Sequence, residues 1–153
     1  MSPSDTDVLV RPVTAADRGA VIALMRAQFR EHGIGLDEVG IGRAVDGVLQ
    51  QPDWGHLLLA TRAGTPVGFA ALSFIWTYEH GGRAAWLEEL YVEPAHRGRG
   101  VGRMLLQAAY RAAAEAGANA MDLEVDAAHR RAEHLYEREG FVRLNRARWS
   151  RRL

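Results

Sequence analysis

The stretch Leu87-Glu88-Glu89-Leu90-Tyr91-Val92-Glu93-Pro94-Ala95-His96-Arg97-Gly98-Arg99-Gly100-Val101-Gly102 decides the fold. Residues 86–92 are rich in apolar and aromatic side chains and read as a strand. Pro94 ends that strand, because it brings no N–H to a ladder. Three glycines then form a turn that runs straight into an amphipathic helix, in which Val101, Met104, Leu105, Ala108, Ala112 and Ala116 recur at helical spacing. A strand, a glycine turn and a helix N-terminus together make an anion site. Unpaired N–H groups converge there, the helix dipole is positive, and glycine lets the backbone approach a phosphate closely.

Outward from this unit, the chain alternates short periodic segments. On its N-terminal side, Val8 to Val13 reads as a strand, and Thr14 with Asp17 three residues on marks a helix start. Val21, Leu24, Met25 and Gln28 with Phe29 lie on one helix face that ends near Gly33. A second helix spans about Leu36 to Gln51, weakened by Gly40, Gly42 and Gly47. Strands over Trp54 to Arg62 and Val67 to Tyr78 follow, with turns at Ala63-Gly64-Thr65-Pro66 and Glu79-His80-Gly81-Gly82. On the C-terminal side, Gly117 caps the central helix, and Met121, Leu123 and Val125 alternate with acidic residues as in a half-buried strand. A helix over Ala128 to Glu139 and a closing hairpin of Phe141 to Leu144 with Ala147 to Arg152 complete the expectation. Short turns make the early strands antiparallel, whereas the strand–helix–strand unit from Trp86 to Val125 makes one parallel pair. The expected class is therefore α/β (α+β), a mixed and mostly antiparallel central sheet with helices on both faces.

Composition narrows the function. The 153 residues carry 19 Lys+Arg, all of them arginine, against 19 Asp+Glu, so no net charge draws the chain to nucleic acid. Without cysteine there is no disulfide, thiolate metal site or cysteine nucleophile. The length suits one domain over residues 1–153, with Met1 to Asp7 polar and frayed. No apolar run approaches a membrane span and the first residues lack signal-peptide character, so a cytoplasmic protein without membrane contact is the expectation. No spacing of histidines and carboxylates suggests a metal site, His80 and His96 included.

Arg97-x-x-Gly100-x-Gly102, placed after Leu90-Tyr91-Val92-x-Pro94, resembles the pyrophosphate-binding motif of the GNAT superfamily of acetyl-coenzyme A-dependent N-acetyltransferases. Two rival phosphate motifs fit less well. Gly98 and Gly100 match a dinucleotide fingerprint, but Arg103 stands where its third glycine belongs; a P-loop needs a lysine that the chain lacks. The ordering of elements resembles the GNAT fold over nearly the whole chain. In that family the central strand splays from its parallel neighbour and acetyl-coenzyme A enters the gap.

The resemblance implies roles for particular residues. The backbone of Leu90, Tyr91 and Val92 would run along the pantetheine arm, with an N–H near Leu90 polarising the thioester carbonyl. Gly98, Arg99, Gly100, Val101, Gly102 and Arg103 would hold the pyrophosphate, and the Arg97 and Arg99 side chains either add charge there or are simply solvated. Tyr136, in Leu135-Tyr136-x-x-x-Gly140-Phe141, matches the tyrosine that protonates the leaving thiolate. By spacing alone it reads rather as an aromatic core residue, on the apolar face with Leu135 and Ala132. His129 occupies the position where many relatives bind pantetheine through asparagine, and a surface histidine is the other reading. Glu88 aligns with the carboxylate that draws and deprotonates the acceptor amine in polyamine-type relatives. Adjacent strand residues point to opposite faces, so only one of Glu88 and Glu89 enters the cleft unless a bulge intervenes. The alternative for this pair is one glutamate in solvent and the other on an arginine. The turn residues Glu79 and His80 are further acceptor-site candidates.

The expected activity is acetyl transfer from acetyl-coenzyme A, with no metal, to a primary amine of a small molecule. A polyamine, an amino acid or an aminoglycoside-like compound would suit. Acetylation of a protein N-terminus shares every motif, and a coenzyme A-binding module without turnover is the non-enzymatic alternative. Homodimers are common among relatives, but the sequence carries no mark of one.

Overall fold

The computed structural model describes residues 7–126 and 129–153. The fraying expected of the first residues and the helix start expected at Ala128 lie outside the described residues. Five strands form one sheet in the order β1-β2-β3-β4-β5: β1 Val8–Pro12, β2 Gly55–Arg62, β3 Thr65–Thr77, β4 Gly82–Val92 and β5 Met121–Leu123. The first four pair antiparallel and β5 pairs parallel to β4. Among the described residues four α-helices accompany them: α1 Arg18–Glu31, α2 Glu38–Gln50, α3 Val101–Glu115 and α4 Arg130–Arg138.

Alternation along the strands feeds two cores on opposite faces of the sheet. Leu58, Ala60, Ala70, Leu72 and Leu87 meet Val101, Leu105, Leu106 and Ala109 of α3. The intervening residues Leu57, Leu59, Phe69, Ala71 and Tyr91 meet Val21, Leu24 and Met25 of α1 and Val45 of α2. The period of two along the strands and the period near 3.6 along the helices thus assign each side chain its layer. α1 begins as expected: the Thr14 N–H donates to Asp17 at 2.8 Å, and a short 3-10 turn leads into the helix. In α2, Asp37 caps the helix by accepting the Gly40 N–H at 3.0 Å. Its glycines serve close packing, since a Cβ at Gly47 would stand 3.3 Å from the Trp54 ring and one at Gly42 would stand 2.8 Å from the Arg18 guanidinium.

Two expectations are corrected. β5 stops at Leu123 rather than Val125, because its partner β4 is deformed just beyond Leu87, where their ladder ends. No strand forms among residues 141–153, so the closing hairpin is absent. Val142, Leu144 and Trp149 would have to supply its apolar face, but they are interleaved with Arg143, Arg146 and Arg148 and are all exposed. A hairpin of that composition has no side to bury, and two strands alone are marginal in water.

Candidate active site

β4 organises the site because its two edges differ in length of pairing. Along β3 it is paired from Gly82 to Val92, whereas along β5 only Ala85, Trp86 and Leu87 face Met121, Asp122 and Leu123. From Glu88 onward the β4 edge is therefore released from its parallel neighbour, and a wedge opens. It broadens into an open cleft of about 2450 Å³. The cleft is lined by Glu88, Glu89, Leu90, Tyr91, Val92, Arg97, Gly98, Gly100, Val101, Gly102, Arg103, His129 and Tyr136. Arg99, of the expected set, is not part of its wall.

The two glutamates enter together. Ala71 faces Glu89 and Leu72 faces Leu87, so Glu88 is the extra residue of a β-bulge. Leu87 and Leu90 accordingly both pack toward α3. Ser73, two residues along β3 from Ala71 of the α1–α2 core, donates its hydroxyl to Glu88 Oε1 at 2.5 Å. Glu89 shares that side, where it meets Gln28 of α1. Glu88 is exposed and Glu89 half-buried. Burial pushes the Glu89 carboxyl above its ordinary range; a hydrogen bond from Gln28 opposes this, and the Glu88 charge adds to it. A carboxylate made more basic by burial beside one facing solvent is an arrangement suited to collecting a cation and taking its proton.

Tyr136 comes from α4 on the far side of the wedge. Its ring meets Phe141 edge-on at 5.6 Å and packs against the α3 core, so the packing role is present in full. Burial pushes its hydroxyl up to about 12, with Tyr110 and the Glu89 charge adding to the effect. The hydroxyl is thus protonated throughout the neutral range and able to donate. His129 caps the start of α4, and its ring lies 4.4 Å from that of His32 at the end of α1.

The turn after β4 is built as its glycines suggested. Gly98 and Gly100 sit in the left-handed region, at φ 73° and 79°. The helical ladder of α3 begins when Met104 N–H donates to the Gly100 carbonyl at 3.0 Å. The N–H groups of Val101, Gly102 and Arg103 therefore belong to the unpaired first turn, beside the positive end of a 15-residue helix. The arginines here hold the scaffold. Arg97 donates to both carboxylate oxygens of Glu31 at 2.8 and 2.6 Å and to the Val92 carbonyl at 2.8 Å, with its guanidinium 5.6 Å from the centre of the Tyr91 ring. Arg103 donates to Glu139 at 2.9 Å, tying α3 to the end of α4. Arg99 is exposed.

Gln28 and Ser73 are site neighbours that motif reading passes over. Their signal is a polar side chain at a position whose periodicity calls for an apolar one: Gln28 is 4% exposed on the buried stripe of α1, and Ser73 interrupts the apolar run of β3. The acceptor-site candidates Glu79 and His80 stand at the rim. His80 Nε2 lies 2.8 Å from Asp122, and Glu79 accepts from Arg146 at 2.8 Å. Among the described residues no group of histidines and carboxylates is placed to hold a metal, and no helix is long and apolar enough to cross a membrane.

A splayed parallel strand pair with a glycine turn feeding a helix N-terminus makes this an α/β protein with an anion-binding cleft at the released strand edge. The chain belongs to the acetyltransferase (GNAT) family, whose sequence profile matches residues 22–141. It is 36% identical over 133 residues to the mycothiol acetyltransferase of Propionibacterium freudenreichii subsp. shermanii, which covers 82% of this chain and 40% of that protein. The chain thus spans about two fifths of the length of that relative. The thialysine N-epsilon-acetyltransferase of Bos taurus is 28% identical over 151 residues, covering 92% of this chain and 87% of that protein. Among solved structures, the aminoglycoside N-acetyltransferase AAC(6')-Iy in complex with CoA superimposes with a TM-score of 0.83 at 21% identity, covering 95% and 94% of the two chains.

Proposed function

We propose that this chain transfers an acetyl group from acetyl-coenzyme A to a primary amine of a small molecule, by direct attack within a ternary complex. The observation that carries the reading is the bulge at Glu88, which turns two carboxylates into the wedge opposite Tyr136. The thioester supplies an activated acetyl carbon; everything else is the work of positioned side chains and backbone groups. The first turn of α3 and the Gly98–Gly100 backbone suit the pyrophosphate, and the released edge of β4 from Leu90 to Val92 suits the pantetheine arm. Glu88 draws the acceptor ammonium, and Glu89, made more basic by burial, accepts its proton directly or through a water. The amine nitrogen then bonds to the acetyl carbon, the carbon–sulfur bond breaks, and the Tyr136 hydroxyl gives its proton to the departing thiolate. The surplus proton on the attacking nitrogen leaves through water and restores the tyrosine hydroxyl. Holding both reactants in one cleft removes much of the entropy cost of their encounter. His129 flanks the pantetheine path in place of asparagine.

The relatives reported above carry the names of small-molecule acceptors, which favours a free amine over a protein N-terminus. The test is thiol release from acetyl-coenzyme A, with a panel holding a diamine, an amino acid, an aminoglycoside and a peptide with a free N-terminus. Turnover of one of the small amines, well above the peptide, is expected. Tight coenzyme A binding with no turnover on any amine would make the chain a binding module and overturn the reading.

A further inference from the structure

The acceptor side of the cleft is already holding cations, and they are the chain's own. Trp86 lies two residues before Glu88 on β4 and directly across from Ser73, so its ring and both glutamates share one wall. Arg148 places its guanidinium carbon 5.5 Å from the centre of that ring and donates to Glu124 at 3.1 Å. Two residues earlier, Arg146 donates to Glu79 at 2.8 Å. Both arginines stand on the segment 141–153, which has neither helix nor strand, and neither core includes a residue beyond Phe141. The side chains of Arg146 and Arg148 are 64% and 60% exposed, and ion pairs so open to water hold weakly and exchange readily. An aromatic face flanked by carboxylates is the chemistry that recognises an ammonium or guanidinium group.

We propose that the Trp86 face beside Glu124 is a subsite for a second cationic group of the acceptor, which displaces Arg148 when it binds. The proposal rests on the amine-acetylation reading above and names its substrate class. Two residues of strand separate Trp86 from Glu88, a rise of roughly 7 Å. The acceptor is therefore a diamine or a dibasic amino acid whose far cation lies about that distance from the reacting nitrogen. A cation on Trp86 and an amine at Glu88 and Glu89 then hold the molecule at both ends, and Arg148 occupies the far end when no acceptor is present.

The experiment compares cadaverine with pentylamine, which has the same carbon chain and one cation fewer. Initial rates and calorimetric binding to the coenzyme A complex are measured for the wild type, Trp86→Leu, Glu124→Gln and Arg148→Ala. In the wild type the kcat/KM ratio should favour cadaverine by roughly 3- to 30-fold, the range for one cation on an aromatic face. Trp86→Leu should bring the ratio toward one, Glu124→Gln should lower it with no burden on the fold, and Arg148→Ala should raise it by removing the internal competitor. Equal handling of the two amines by the wild type would overturn the proposal. So would a ratio that Trp86→Leu and Glu124→Gln leave untouched, or one that falls in Arg148→Ala, which would make Arg148 a fixed wall. The binding arm separates this inference from the function it rests on. Trp86-dependent cadaverine binding without turnover of any amine keeps the subsite and removes the transfer reaction; turnover of both amines at equal efficiency does the reverse.

Discussion

Glu88 and Glu89 are neighbours in sequence with opposite surroundings. Glu88 faces solvent under the Ser73 hydroxyl, and Glu89 is half-buried beside Gln28. Because burial raises the folded-state carboxyl of Glu89 above its unfolded value, the folded protein binds its proton more tightly than the unfolded chain does. Stability from this residue is therefore greatest at acid pH and declines as pH rises through the ordinary carboxylate range into neutrality. Glu89→Gln should raise the melting temperature at pH 7, with the gain shrinking as the pH is lowered toward 4. The same variant should lose ~10²-fold in turnover at neutral pH and regain part of it at alkaline pH, where the amine sheds its proton unaided. Glu88→Gln should act mainly on the KM of the amine, since an exposed carboxylate attracts more than it deprotonates. A Glu89→Gln enzyme with an unchanged pH–rate profile would move the base to Glu88 or to solvent. For Tyr136 the informative change is to phenylalanine, which keeps the edge-on contact with Phe141 and removes only the hydroxyl. Turnover should fall ~10²-fold while the melting temperature and coenzyme affinity hold. Turnover within threefold of wild type would leave Tyr136 as a packing residue alone.

At the level of elements, β4, the glycine turn and α3 were readable because each is specified by local chemistry: an apolar strand, a proline stop, glycines at positive φ and a helical stripe. The bulge at Glu88 has no local signature. It arises from the pairing of β3 with β4, which skips one residue between Leu87 and Glu89, and only the two adjacent carboxylates in an apolar strand hint at it. The role of Arg97 was hidden for a similar reason, since Glu31 lies 66 residues away in sequence. The Arg97 guanidinium is bound to Glu31 of α1, which fixes the turn from behind. The C-terminal hairpin was expected from two short runs with a turn between them, but arginines at alternate positions left neither run a face to bury. The turn itself carries a prediction. A Cβ at Gly100 would meet no protein atom within 4 Å, so a side chain there is resisted by the backbone angle and by whatever ligand fills the open space. Gly100→Ala should cost roughly 1–2 kcal/mol of stability through its left-handed backbone. It should also weaken coenzyme A on the order of tenfold or more, the scale of one lost charge-assisted hydrogen bond. Thermal melts and titration calorimetry read the two effects separately, and a stability loss without any change in affinity would remove the turn from the binding site.

The whole molecule divides its labour between a sheet with two well-filled faces and one edge left open. Phe69 on the α1–α2 side and Leu105 on the α3 side are both fully buried, so the body that carries the wedge is set by residues remote from the chemistry. The C-terminal segment stands outside that body. Its Trp149 is 92% exposed, and its links to the rest include the two open ion pairs from Arg146 and Arg148. Exposed pairs of this kind contribute little, far less than the buried leucines of either core. Removing residues 145–153 should therefore lower the melting temperature only slightly and leave a single cooperative unfolding transition in urea. Coenzyme A affinity should be retained, because the glycine turn and the released edge of β4 are untouched. A truncated chain that unfolds in two steps, or loses coenzyme A along with the segment, would show that the tail completes the fold rather than resting on its acceptor side.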